Sequence, residues 1–392
     1  MSTADIAQPQ SGLLERVAAL VPLLRENAQR TEEGRRVAQE NIDALTDAGV
    51  FRMTVARRYG GYESSLLEQY HVLATIASGC PSTGWVATIL TAMLWNAGMF
   101  ADEAQEEVFA DPRVRIASVF SVGGQARAAD GGVIVNGRWP FNTGCLHSQW
   151  AILTALAPGA DGAPAPASLL IPYAELEILD DWHATGMAGT GSNTTLAEEV
   201  FVPSHRILPL AAQMTLEFPS LLNRGADYWR VPTVSFLIGQ AAGAPVGIAR
   251  GALAAFMERL PGRSITYTDY AEQSRAPVTH LQVGEAMMKI HSADAHGRSA
   301  IELAAGAPAG EFTLTDRALV RAHAAHATAL ARDAVDVLYR ASGASAIQRS
   351  VPIQRYQRDI QALANHAFLA EATSLELLGR VVCGLEPNTV FI

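Results

Sequence analysis

Between Gly137 and Trp150 the chain reads Gly-Arg-Trp-Pro-Phe-Asn-Thr-Gly-Cys-Leu-His-Ser-Gln-Trp. Trp139, Phe141 and Thr143 set two aromatic faces beside a hydroxyl, on a backbone that Gly144 relaxes. Such a group suits a large planar ligand with a polar edge. A β-hairpin whose aromatics fill a core accounts for the same residues equally well. His147 follows Thr143 by four residues, and the spacing does not say which way it points. His323 and His326 lie three apart on one expected helix with no acidic partner in register, which argues against a metal there. Cys80, Cys145 and Cys383 are too few and too scattered for a disulfide framework or a zinc site.

The elements that must position these residues change character along the chain. Leu13, Leu14, Val17, Leu20, Val21 and Leu24 recur at helical spacing, and a second helical segment over 32–48 stops at Gly49. Helical pattern resumes over 66–78. An almost continuously apolar helix then follows from Trp85 to Phe100, a pattern that belongs to a buried helix. From about Pro112 the texture becomes β-like: 116–122, 133–135, 150–155, 168–171 and 195–202 are short runs separated by Gly, Asp and Pro. The stretch Ala157–Pro166 reads as a surface hairpin loop. Beyond Pro232 the chain is alanine-rich and helical over 234–260, 278–305, 316–341 and 354–383. Asp316 reads as an N-cap, Gly343 as a helix stop and Pro245 as a kink. The expectation is an α+β chain: a helical domain over 1–112, an antiparallel β-barrel or sandwich over 113–212, and a four-helix bundle over 213–392.

Composition narrows the partners. With 392 residues, 49% hydrophobic and 17% charged, the chain can bury a large core. A net charge of −10 argues against nucleic acid or an anionic membrane as principal partner. No stretch approaches the roughly 18 apolar residues of a membrane span. The N-terminus carries neither a basic nor an apolar leader segment, so a cytoplasmic protein is expected.

Five segments in order carry a resemblance. They are Arg58-Tyr59-Gly60-Gly61-Tyr62-Glu63, Ser82-Thr83-Gly84-Trp85-Val86, Gly137 to His147, Gly186 to Asn193 before Val200-Phe201-Val202-Pro203, and Arg358-Asp359 with Asn365-His366-Ala367-Phe368. In these the chain resembles the acyl-CoA dehydrogenase superfamily. Within it the likeness is to two-component (group D) reduced-flavin-dependent monooxygenases, oxygenase components that hydroxylate phenols and related aromatics. A dehydrogenase of this superfamily typically places a glutamate shortly after the Arg-Asp pair. Here no carboxylate occurs between Asp359 and Glu371, and His366 stands near that point.

The resemblance implies reduced FAD or FMN as cofactor and O2 as co-substrate, with a C4a-hydroperoxyflavin as oxygen donor. His366 is then the base that activates the substrate. Thr143 hydrogen-bonds near flavin N5, Trp139 and Phe141 line the ring system, and Asn142 reaches a flavin carbonyl. Arg263, Ser264 and Ser342, at helix ends, are candidates for the flavin phosphate. Met93, Trp95 and His366 line the substrate pocket. Many phenol-hydroxylating relatives carry a histidine just before the second tryptophan of the buried helix. Met93-Leu94-Trp95 lacks it, so an indole, a polycyclic aromatic or a hydrophobic polyketide fits better than a simple phenol.

No Gly-x-Gly-x-x-Gly follows a strand, and Gly189-Thr190-Gly191 lacks the third glycine. A separate NAD(P)H:flavin reductase is therefore implied. A homotetramer is expected by resemblance, with a dimer as the smaller alternative. Other readings are an acyl-CoA dehydrogenase, a flavin-dependent N-oxygenase and a helical interaction protein.

Overall fold

The structure, a computed structural model, describes residues 12–159, 161–306 and 312–392. The N-terminal ten residues, where no leader segment is expected, and one residue of the 157–166 loop lie outside the described residues. Helices α1 (Leu13–Glu26), α2 (Ala28–Glu33), α3 (Gln39–Asp47), α4 (Leu66–Gly79), α5 (Pro81–Ala97) and α6 (Asp102–Phe109) precede the first strand. Leu13, Val17 and Leu24 form the buried stripe of α1. The Ser65 side chain accepts the Glu68 N–H and caps α4. Pro81 opens α5 at its first turn, where its missing N–H costs nothing. The apolar helix thus begins four residues earlier than the hydropathy suggests.

Seven strands follow: β1 (Ile116–Ala129), β2 (Gly132–Trp139), β3 (Trp150–Pro158), β4 (Pro164–Pro172), β5 (Glu177–Ile178), β6 (Thr195–Pro203) and β7 (Ile207–Pro209). Their order is β5-β6-β2-β1-β3-β4-β7. The antiparallel expectation needs correcting, because β1 and β3 pair in parallel and the sheet is mixed. All seven strands belong to one hydrogen-bonded sheet, with β5 and β7 at the ends of its strand order. The register of β1 on β3 shifts between Val119 and Gly124. This bulge lets a long strand serve both neighbours.

The C-terminal helices are α8 (Thr233–Ala241), α9 (Gly243–Arg259), α10 (Pro277–Gly306), α11 (Leu314–Ala341), α12 (Ile353–Leu363) and α13 (Glu371–Val382), after a short α7 (Leu210–Met214). Two of the four expected helices are therefore broken. Pro245 lacks an N–H and crowds the carbonyl four residues back, so the first splits at Ala242. The last splits at 364–370, the segment that carries His366. Asp316 is not the N-cap of α11: Thr313 is, and Asp316 closes a capping box three residues on. Gly343, at φ 69°, ends α11 as expected.

Gly243, Gly247 and Gly251 form a stripe on α9 laid against α4. A Cβ at Gly247 would stand 2.0 Å from the Ala74 carbonyl oxygen. α5 is buried almost all round and touches β1, α8, α9 and α12. The order helices, sheet, helices is the one expected. Among the described residues no helix is long and apolar enough to cross a membrane.

Candidate functional site

The turn after β2 holds Thr143 in place by local strain and a polar rivet. Phe141 sits at φ 61° and Gly144 at φ 80°, so the chain reverses sharply on either side of Asn142-Thr143. The Asn142 side-chain amide donates to Tyr173 Oη and to Thr195 Oγ1, both at 2.9 Å. Asn142 is fully buried, and its own Oδ1 has no hydrogen-bond partner. It anchors the turn to the sheet, which corrects its assignment to a flavin carbonyl.

Trp139 and Phe141 part company. Trp139 ends β2 with its indole wholly inside the sheet's own core, donating to the Thr154 carbonyl at 2.7 Å. Gly123, Gly124 and Gly137 make room for it. It is a core residue and does not line a ring site. Phe141 is 70% exposed and meets Trp182 edge-to-face at 5.6 Å. An exposed phenylalanine in a strained conformation beside a buried hydroxyl is what a planar ligand would cover.

The Thr143 side chain points into a run of hydroxyls. Thr143 Oγ1 lies 2.7 Å from Ser192 Oγ, which lies 2.7 Å from Thr190 Oγ1. Thr190 donates to the Met187 carbonyl at 2.8 Å, and Trp182 Nε1 donates to the same oxygen at 3.2 Å. The Met187 N–H is held by Asp359 Oδ1 of α12 at 2.6 Å. Burial pushes the Asp359 carboxyl up to about 7. Gly186 permits this docking, since a Cβ there would stand 2.2 Å from the Arg358 carbonyl oxygen.

α5 carries the second half of the site. A Cβ on Gly144 would meet Leu90 at 2.9 Å and Val86 at 3.5 Å, so the Thr143 turn rests on that stripe. On the same helix Trp85 meets the His366 ring edge-to-face at 5.0 Å. The two catalytic candidates are thus brought to one helix, from the sheet and from the α12–α13 loop. Met93 lies on the Val86/Leu90 stripe and is buried. Trp95 comes nine residues after Val86, half a helical circumference away. It stacks on Phe236 of α8 at 3.7 Å. Trp95 is therefore core, and its place in the substrate pocket is withdrawn.

His366 Nδ1 accepts the Phe368 N–H at 3.3 Å. Burial, and then the Arg321 charge, hold the imidazole down to about 4. Arg321 is itself buried on α11 and forms no ion pair among the described residues. Its guanidinium donates to the carbonyls of Phe391 and Ala367 and to Ser374 Oγ, and lies 5.6 Å over the Phe368 ring. It ties the His366 loop to the bundle. A neutral imidazole whose Nδ1 accepts must carry its proton on Nε2. The base role expected of His366 does not suit this state, because the free edge of the ring donates.

Arg263 and Ser342 do come together, though not as a phosphate cradle. Arg263 donates to the Ser342 carbonyl at 2.8 Å, and the Ser342 hydroxyl donates to the Leu338 carbonyl. This is the C-terminal end of α11, whose outward carbonyls favour a cation and disfavour an anion. Ser342 is therefore removed as a phosphate ligand, while Arg263 keeps spare donors and Ser264 is exposed. His147 is buried with both ring nitrogens unpartnered, and burial with Arg36 and Arg115 nearby pushes it down to about 3. His326 has the acidic partner its helix lacked: Glu371 of α13, at 2.7 Å. Trp85, Thr190 and Ser192 lie in segments that carry the resemblance but had no role assigned there, and Trp182 and Arg321 were not singled out from the sequence. The alternation of hydroxyls and glycines over 189–192 was the one signal that could have found two of them.

Comparison with known proteins shows the family of the chain. The acyl-CoA dehydrogenase N-terminal domain family matches residues 15–114, and the acyl-CoA dehydrogenase C-terminal domain family matches 239–371. The flavin-dependent monooxygenase oxygenase subunit HsaA of Rhodococcus jostii is 35% identical, over 90% of this chain and 94% of its own. The oxygenase component of the FADH2-dependent resorcinol hydroxylase of Rhizobium sp. is 33% identical, over 97% of this chain and 96% of its own. The solved structure of XiaF from Streptomyces sp., in complex with FADH2 and glycerol, is 30% identical with a TM-score of 0.86. That match covers 98% of each chain. The exposed Phe141, the hydroxyl run ending at Thr143 and the neutral His366 fit a reduced flavin. This chain belongs to the acyl-CoA dehydrogenase superfamily, among its flavin-dependent monooxygenase oxygenase components.

Proposed function

We infer that the chain hydroxylates an aromatic substrate bearing one oxygen on an otherwise apolar body, using flavin reduced by a separate reductase. Reduced flavin supplies the activation of O2; the chain's residues bind, orient and keep the site dry. Phe141 and Trp182 hold the ring system, and Thr143 faces its N5. His366 presents Nε2–H to the substrate oxygen and favours a substrate that arrives ionised, with its proton already lost to solvent; the ring carbon of a phenolate is more nucleophilic than that of the phenol. Trp85 and Phe368 flank His366, and Met93 leaves the floor apolar, in keeping with a fused-ring substrate. Arg263 and Ser264 remain the candidates for the flavin phosphate.

The observation that carries this reading is the meeting of the Thr143 turn and the His366 loop on α5. Against a dehydrogenase stands Glu371, the first carboxylate after Asp359, whose Oε1 is engaged by His326. Leu281 and Met288, 75% and 65% exposed on α10, support an assembly of several copies, a homotetramer in this reading. The test is to supply FAD through a separate reductase and offer phenols, indoles and fused-ring phenols. Hydroxylated product coupled to O2 uptake supports the reading. Flavin reduction by an acyl-CoA without oxygen insertion would overturn it.

A further inference from the structure

The hydroxyl run has a direction, set by its protons. A carbonyl only accepts, so the contact from Thr190 Oγ1 to the Met187 oxygen takes the one Thr190 hydroxyl proton. The contact between Thr190 and Ser192 then requires Ser192 to donate, and the contact between Ser192 and Thr143 requires Thr143 to donate. Thr190, Ser192 and Thr143 are 2%, 5% and 8% exposed, which leaves little access for water to reset the order. The anchor is itself fixed, since Met187 is pinned through its N–H to Asp359 and lies at φ 54°. Thr143 is thereby left with lone pairs only.

We propose that Ser192 and Thr190 are positioning residues that fix Thr143 as a hydrogen-bond acceptor, so that the site prefers reduced flavin over oxidised flavin. This rests on the reading that Thr143 faces N5. Reduced flavin carries a hydrogen on N5 and can donate to Thr143. Oxidised flavin offers only a lone pair there, and meets another lone pair. To bind oxidised flavin equally well the run would have to reverse, giving up the bond from Thr190 to Met187. The oxygenase component thereby takes up the reduced form and releases the oxidised form for re-reduction.

The test compares dissociation constants for oxidised and dithionite-reduced FAD under anaerobic conditions, by equilibrium dialysis, so that turnover plays no part. Ser192→Ala and Thr190→Val free the Thr143 proton. Each is expected to tighten oxidised FAD and to lower the preference for reduced FAD by about tenfold. For a two-electron couple that is a fall of about 30 mV in the potential of bound flavin. Thr190→Ser, which keeps the run, should retain the wild-type ratio, and this guards against a merely structural effect. Thr143→Ala should also change the ratio. If it does not, Thr143 does not face N5 and the underlying reading fails. If Thr143→Ala changes the ratio while Ser192→Ala and Thr190→Val leave it intact, the relay alone is overturned.

Discussion

The Phe368 N–H donates to His366 Nδ1 at 3.3 Å, and so the backbone of the α12–α13 loop selects the tautomer of the ring it carries. With the imidazole held down to about 4 by burial and by Arg321, Nε2–H is presented across the neutral pH range. His366→Ala is expected to slow hydroxylation by about 100-fold, the usual scale for losing a donor at developing charge. Reduced-flavin affinity should be unchanged. The wild-type rate should show no inflection between pH 6 and 7 that the variant removes. Such an inflection would restore the base role.

Arg321 is a positioning residue for that ring, since it grips the loop through the Ala367 carbonyl and the chain end through Phe391. Arg321→Met removes a charged donor from several buried acceptors, at a cost of roughly 3 kcal/mol. It also removes the charge that disfavours imidazolium, so the His366 pKa should rise. Urea unfolding reports the first effect, and histidine NMR titration the second.

Asp359 makes stability depend on pH. Its ordinary value is 3.8, and burial raises it to about 7 in the folded chain. The unfolded chain therefore loses this proton first as pH rises. The contribution is fully present below pH 3.8 and is lost as pH climbs through 7. Three units correspond to about 4 kcal/mol at most. Asp359→Asn keeps an acceptor for the Met187 N–H and removes the titration. It should gain stability over the wild type between pH 5 and 8, measured by thermal unfolding across that range.

Phe141 and Gly137 separate binding from folding. Phe141→Ala should weaken flavin binding about tenfold, since an exposed ring supports the ligand more than the core. Its unfolding midpoint should stay within about 0.5 kcal/mol of the wild type. Gly137→Ala should do the reverse, because its Cβ would stand 2.3 Å from the Trp139 ring. A loss of about 1–3 kcal/mol is expected from such overpacking.

The order of elements was legible because hydrophobic period changes visibly at Pro112 and again at Pro232. Thr143 and His366 were legible only through resemblance. Trp139 and Phe141, two apart, would share a face if the strand continued. β2 ends at Trp139, and a positive φ at Phe141 throws the second ring outward, which the residue types do not announce. Trp95 was misplaced because the site-facing side of α5 is set by Gly144, a contact remote in sequence. The break at 364–370 has no glycine or proline to mark it. The parallel pairing of β1 with β3 arises because β2 turns back and pairs on the other edge of β1, an arrangement no local pattern encodes.

The central claim is oxygen insertion by this chain with flavin reduced elsewhere. The direct measurement is mass spectrometry of the product formed from a fused-ring phenol under 18O2, with FAD reduced by a separate reductase. The account predicts one 18O atom per product molecule and none from labelled water. Unlabelled product, or flavin reduction driven by an acyl thioester with no oxygen incorporated, would contradict it.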